Sequence, residues 1–414
     1  MPLRSLLESW SGLRSVSKQL KWLYISVVLR RVAESFLVVV GPVFLFNLAG
    51  QLPIIGQVFQ DEFRSGLLAV VIFYLLKRLG VLLLAPLVAK SSISKNPKLS
   101  LIIGQSVLML AIISYTFIQD NIWLFFVIPL LSALNLLWYW TNYYVILASE
   151  VEPKHIGQEM GVLEVLVKLM GLLGPLLGTF LAVSVSFASV FWTASFFLLL
   201  SILTLVELPN LRLKTVWRWS DFKLAAANSV CRRQQLGLGG YHWENLGLLV
   251  FWPVLLFWFF NNIVAAGYIL ASAGFVSLIL AYLSGLAFDN KRQNNRWNLN
   301  TGGTRAILWL VRALAWHSPL ILVAIESLDR LVSGFFDTTF LSLTILRVRA
   351  NNSIIYAYNR QIAFAIANII GSGLIVLILL LDLHLIWLLT TFFLAGSLTL
   401  IFVKDQRLRY VLAK

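Results

Sequence analysis

Charge is what this 414-residue sequence has least of. Asp, Glu, Lys and Arg make up 12% of it, about half the share of an ordinary soluble domain. That scarcity excludes a typical water-soluble globule. Cysteine is reduced to one residue, Cys231, so no disulfide framework and no thiolate metal site can form. The four histidines (His155, His242, His317 and His384) are far apart and none sits at metal-ligand spacing. A phosphate-cradling G-x-x-x-x-G-K-[ST] loop is also missing, which removes ATP as the evident energy source. The first 21 residues lack the apolar core and small-residue cleavage site of a secretory signal. They read as a cytoplasmic amphipathic lead-in or, equally well, as a frayed basic terminus.

Apolar residues dominate what remains. They make up 59% of the chain, including 15 Trp, 12 Tyr and 28 Phe, with a mean hydropathy of +0.84. A membrane crossing needs about 20 apolar residues. By that measure spans fall at 23–48, 66–89, 99–118, 122–148, 160–183 and 186–206. A second series falls at 245–263, 267–288, 303–317, 319–346, 360–381 and 384–403. The ninth is short and carries Arg312. The expected fold class is an all-α membrane protein, with twelve transmembrane helices in two pseudo-symmetric six-helix bundles. The expected domains are a cytoplasmic segment over 1–22, a bundle over 23–206, a cytoplasmic connector over 207–244, a second bundle over 245–403 and a cytoplasmic tail over 404–414.

Basic residues test this order, because loops rich in Lys and Arg stay cytoplasmic. Between the spans, every Lys and Arg but Arg64 lies in a segment that is inside when the N-terminus is inside. A missed span would invert every later loop and destroy that agreement. Both termini are therefore expected in the cytoplasm, with the protein in the plasma or inner membrane. The net charge of +15 is then a topology signal facing anionic lipid, not a nucleic-acid footprint. The connector is the most basic loop. Its part from Leu211 to Ala227 is expected as a surface helix or a flexible tether. Gly237, Gly239 and Gly240 are expected to supply slack before the seventh span.

Ionisable groups inside spans are costly and tend to mark pathways. Arg30 and Glu34, Glu164 and Lys168, and Glu326 and Arg330 are each four residues apart, so each pair shares a helix face. Asp329 and Asp337 add acid to span 10. Lys77 and Arg78 lie mid-span with no acid on their own helix.

The two halves also repeat each other. Ala85 to Lys90 at the end of span 2 corresponds to Gly285 to Asp289 at the end of span 8, with basic residues following both. Gly171, Gly174, Pro175 and Gly178 in span 5 correspond to the stretch of Gly371 and Gly373 in span 11. Twelve spans in two halves, a basic central loop and the short motif Gly285…Asp289…Lys291-Arg292 resemble the major facilitator superfamily. Ala85 and Ala89 depart from that motif in the first half, which leaves an aspartate latch there without its residue. The run from Gly171 to Gly178 resembles the glycine-proline motif of the family's antiporters; plain helix packing is the alternative role.

The resemblance implies that spans 1, 4, 7 and 10 line a central cavity. On those spans lie Arg30, Arg31, Glu34 and Asn47; Asn135, Trp138, Trp140, Asn142, Tyr143 and Tyr144; Trp258, Asn261 and Asn262; and Glu326, Asp329, Arg330 and Asp337. Spans 3, 6 and 12, expected against lipid, have no charge in their interiors. The candidate substrate and coupling residues are Arg30, Glu34, Lys77, Arg78, Asn135, Trp138, Asn142, Asn261, Asn262, Asp329, Arg330 and Asp337. Glu34 or Asp337 is the expected proton carrier, a static ion pair being the alternative for Glu34. The function expected is proton-coupled transport of a small solute by alternating access, with a tilt to export, by a monomer that needs no cofactor or metal. A lipid or headgroup translocase on the same fold is the alternative, and Lys77 and Arg78 would suit it. A membrane-embedded enzyme is less supported, for want of a nucleophile with its base or a histidine cluster.

Overall fold

The computed structural model describes residues 18–52, 55–91, 95–152, 155–210, 216–272, 275–290, 295–314, 318–384 and 386–404. No strand occurs among them. In a bilayer the backbone must satisfy its own hydrogen bonds, and a chain without closed strands does so only as helices. The first half holds α1 (Lys18–Asn47), α2 (Glu62–Lys90), α3 (Pro97–Tyr115), α4 (Leu124–Glu150), α5 (Ile156–Ser184) and α6 (Phe187–Leu205). A short helix, α7 (Trp219–Ala227), follows. The second half holds α8 (Ser229–Phe260), α9 (Ile263–Ser272), α10 (Phe275–Asn290), α11 (Asn295–Leu314), α12 (Pro319–Ala350), α13 (Ser353–Leu380) and α14 (Ile386–Lys404). Ten of these are long and apolar enough to cross a membrane. The eighth position in the twelve-span order is taken by α9 and α10 together, and the ninth by α11.

Local chemistry sets several starts. Asp61 accepts from the Phe63 amide at the head of α2, and Asn96 accepts from Leu99 at the head of α3, where Pro97 needs no donor of its own. Ser186 caps α6 and Asn228 caps α8. Two helices widen in mid-course: α4 makes a π-turn over Leu136–Trp140 and α8 makes one over Gly247–Phe251.

The halves repeat in packing as well as in order. In the first, α1 lies against α5 and α6, α2 against α4, and α3 against α4 and α6. In the second, α8 lies against α13 and α14, α10 against α12, and α11 against α12 and α14. Two seams join the halves, α5 with α9 and α10, and α2 with α13. Glycines set the close approaches. A Cβ on Gly174 would overlap Ser35 of α1, and one on Gly371 would overlap Trp243 of α8, so the glycines of the two halves do related work. Gly171 and Gly373 face open space instead, and the packing role expected of Gly171 is not seen.

The connector needs correction. Residues 229–244 are not loop but the first half of α8, and they run without a break into the segment expected to start at 245. Gly237, Gly239 and Gly240 supply no slack: they press α8 against Phe402, Ala367 and Ala395. This stretch resembles a loop in sequence because α8 carries the exposed Arg232 and Arg233 near its start and the buried Gln234 and Glu244 farther on. Of the expected surface helix, 219–227 is helical and 211–215 lies outside the described residues. The ninth span is likewise earlier than expected, beginning at Asn295.

Candidate functional site

The start of α1 and the end of α14 share one apolar cluster and so mark one face of the bundle, called here the basic face. Counting from it at 1.5 Å per residue, Glu34, Lys168, His242, Arg305, Asp337 and Arg78 all lie about 15–24 Å deep. Arg30, Arg78, Glu244 and Arg305 are the buried charges of this mid-depth layer, while Arg312, Glu326 and Asp329 lie deeper.

On the first half, Arg30 is the hub. Its guanidinium donates to Glu34 Oε1 at 2.8 Å, to Gln105 Oε1 at 2.7 Å and to Asn135 Oδ1 at 2.9 Å, and it lies 4.0 Å from the Tyr139 ring centroid. Every branch is engaged, so Arg30 ties α1, α3 and α4 together. Arg31 binds the other oxygen of Glu34 at 2.8 Å. Asn135 returns a bond to the Gly104 carbonyl at 2.7 Å. Asn142 is buried and donates to the Trp138 carbonyl of its own helix, while Trp138 packs beside Gly104.

On the second half, Asp337 sits at a crossroads. Lys168 of α5 approaches it at 3.2 Å, Arg305 of α11 at 2.9 Å and the Tyr241 hydroxyl of α8 at 3.2 Å. Arg305 also meets Glu244 at 3.3 Å. Lys168 therefore does not pair along its own helix with Glu164 but reaches into the other half. Arg31, Glu34, Lys168 and Asp337 are 37%, 27%, 15% and 21% exposed, although neighbours from several helices surround them.

A second acid-base group lies on α11 and α12. Arg312 bridges Glu326 at 2.9 Å and Asp329 at 3.2 Å, and Arg330 binds Glu326 at 2.8 Å. Trp252 and Trp309 flank Arg312. All but Arg330 in this group are fully buried, which makes it a clamp within one half. Asp329 and Arg330 are thus brought together, but away from Asp337.

The third cluster has no acid. Arg78 of α2 lies 3.1 Å from His242 Nε2, and the Asn368 amide of α13 lies 3.1 Å from His242 Nδ1. Arg360 donates to the Tyr144 hydroxyl at 3.0 Å and stacks on Tyr144 and Phe364. Lys77 projects beside the Tyr74 ring. Toward the basic face, a cavity of about 260 Å³ runs between α7, α8 and α13 and reaches Arg360.

Asn261 and Asn262 do not reach the layer. Asn261 ends α8 in the left-handed conformation (φ 47°), and Asn262 caps α9 through Val264 and Ala265; both are exposed. Their sequence signal was a turn, which amide side chains favour. The residues missed from the sequence are Tyr241, His242, Glu244, Arg305, Arg360 and Asn368. The first three sat in or beside the misread loop. The others carry no local pairing signal. Asp289 holds the position its motif implies: its two oxygens accept from the Gly157 and Gln158 amides at 2.8 Å each, which satisfies the first donors of α5. Gly285 lets α10 touch α5 there, since a Cβ would overlap the Gly157 carbonyl. Gly178 and Pro175 are buried farther along α5, Gly178 against the Phe36 carbonyl.

A family model described as Major Facilitator Superfamily matches residues 35–372. No curated protein matches the chain by sequence. Among solved structures, a D-xylose-proton symporter aligns over 94% of this chain and 98% of its own, with TM-score 0.68 and 12% identity. The human organic anion transporter MFSD10 aligns over 93% and 99%, with TM-score 0.64 and 16% identity. A variant of the E. coli fucose:proton symporter aligns over 92% and 97%, with TM-score 0.60 and 14% identity. At these identities the likeness is one of fold.

Proposed function

The chain belongs to the major facilitator superfamily of membrane transporters, and from that premise we propose that it moves a small solute by alternating access, coupled to protons and tilted toward export. The observation that carries this reading is the Lys168–Asp337 pair, an ion pair between the halves at mid-depth. Halves that rock around a midplane site must loosen such a contact. Protonating Asp337 removes the charge that holds Lys168 and Arg305, and so lowers the cost of that step.

The described contacts suit an occluded form. On the basic face the halves meet at Gly157 and Gly285, and Arg349 of α12 donates to the Ala148 and Val151 carbonyls of α4. On the other face Phe46 packs on Phe257 and Trp258, and Arg64 pairs with Asp382. Opening either side requires parting one set while the other holds. Glu34 supports the same reading as a second proton group, because it is partly exposed while Arg30 and Arg31 hold it. The fucose and xylose neighbours are proton symporters by name, which favours a proton as driver by analogy. The export tilt rests on the glycine-proline stretch of α5, and the cytoplasmic placement of the basic face rests on the charge rule.

The test uses proteoliposomes loaded with a pH-sensitive dye, with benzoate and glucose as trial solutes. Solute-driven proton movement is expected in the wild type and lost in Asp337→Asn, while solute counterflow persists. Undiminished proton movement in both Asp337→Asn and Glu34→Gln would rule out the coupling.

A further inference from the structure

The acid-free cluster stands apart from the rest of the layer. Arg30, Arg305 and Arg312 each lie against at least one carboxylate. Arg78 is 4% exposed and Arg360 is 7% exposed, yet neither has a carboxylate within ion-pair distance among the described residues. Arg78 Nε and Nη1 have no hydrogen-bond partner, and neither has Arg360 Nε or Asn368 Oδ1. A buried cation without a counter-charge is strongly disfavoured. Here two such cations flank one small region: Phe364 touches the His242 ring at 4.2 Å between centroids and carries Arg360 at 4.7 Å, while Arg78 contacts His242 from the other half. Lys77, the residue before Arg78 on α2, is a further base nearby, turned toward Tyr74. The missing component is negative.

We propose that α2, α8 and α13 form a binding site for an anionic group, a carboxylate or a phosphate, with Arg78 and Arg360 as its paired cations and His242 and Asn368 as its hydrogen-bonding partners. A guanidinium offers several N–H donors to the oxygens of such a group, and Arg78 Nε and Nη1, on different edges of it, are both free. Tyr144 and Phe364 give the remainder of the ligand an aromatic wall. The cavity toward the basic face reaches Arg360, about two turns of α13 short of Asn368, and marks the side from which the site is approached when that face opens. Because Arg78 belongs to the first half and Arg360 and His242 to the second, a bound anion bridges the halves. The proposal rests on the transporter reading only in making that anion the cargo; the site itself does not depend on it.

The experiment uses the full-length protein in detergent and in proteoliposomes. Calorimetric titration with benzoate and with inorganic phosphate measures binding, and glucose serves as the neutral control. Arg78→Gln and Arg360→Gln are each expected to weaken the bound anion at least tenfold, and Arg78→Lys to weaken it less, since it keeps the charge and loses the fork. Monodisperse elution of each variant establishes folding, and Arg360→Gln keeps the test alive where Arg78→Gln does not fold. Unchanged anion affinity in a folded glutamine variant overturns the proposal, as does failure of the wild type to bind any anion. Nanodiscs with and without phosphatidylglycerol separate the sources: stabilisation by that lipid alone, lost in Arg360→Gln, assigns the site to a headgroup. Glucose counterflow without anion binding overturns this site and leaves the transport reading intact. Anion binding with no counterflow of any trial solute keeps the site and counts against transport.

Discussion

At the α5–α10 seam a glycine faces a glycine and an aspartate caps a helix; in the matching place on the α2–α13 seam, alanines lie against an aromatic wall. Gly285 and Gly157 bring backbone onto backbone, and Asp289 binds the first amides of α5. On the other side, Ala85, Val88 and Ala89 pack with Ile354, Ala357 and Tyr358. No carboxylate stands at position 89 to meet the start of α13. Trp217, arriving from the connector, joins the same apolar cluster. It is buried, stacks on Tyr358 at 5.3 Å and donates to Asn359 Oδ1 at 2.8 Å. One seam is closed by a directional charge on a helix dipole, the other by apolar area and a borrowed indole. The lesson is that pseudo-symmetry preserves where the halves touch but not the force that holds them there.

The comparison is broken most severely through Trp217. Trp217→Ala is expected to cost about 3–5 kcal/mol, the usual range for emptying a large buried aromatic site. Thermal unfolding in detergent reads this, and a cost no greater than that of Asp289→Ala would show the seams to be equivalent. Next comes Gly157→Val, whose side chain would meet the Gly285 carbonyl and the Asp289 carboxylate. About 1–3 kcal/mol of overpacking is expected, with solute counterflow reduced more than tenfold because the basic face cannot close. Normal counterflow would remove Gly157 from the gate. Asp289→Ala should be milder, about 0.5–2 kcal/mol, as for the loss of a helix cap. Its mark is a basic-face cysteine label that reacts faster, and an unchanged labelling rate would reduce Asp289 to a surface charge. The smallest change is Gly171→Ala, which faces open space; it should raise stability by about 0.4–1 kcal/mol through the unfolded chain. A loss there would mean that α5 uses Gly171 for packing after all.

Much of the architecture was legible because it is written in long apolar runs and in the side on which basic residues fall. Ion pairs four residues apart were legible for the same kind of reason: Arg30–Glu34 and Glu326–Arg330 both form. Lys168 shows the limit of that rule. Glu164 is its neighbour on the helix, but Asp337 is its partner, and only the packing of α5 on the second half decides between them. The start of α8 was hidden by its own function. Gln234 and Glu244 are buried and His242 is half-buried, and a hydropathy reading discounts the helix that carries them. Arg360 and Asn368 could not be assigned from one sequence, since their meaning comes from Arg78 and His242 on other helices.

The π-turn in α4 has a consequence for what can be removed from this chain. An ordinary helix advances about 100° per residue, so deleting one residue breaks the ladder's register with its surroundings. Over Leu136–Trp140 the ladder already carries one residue too many. Taking one of those five out would restore the common repeat and leave the stretch from Thr141 to Glu150 in its present phase. Asn135 would keep its place under Arg30, and Tyr144 its place beside Arg360. The wide turn is thus an expansion joint: it absorbs one residue between the half of α4 that anchors Arg30 and the half that presents Tyr144 to Arg360.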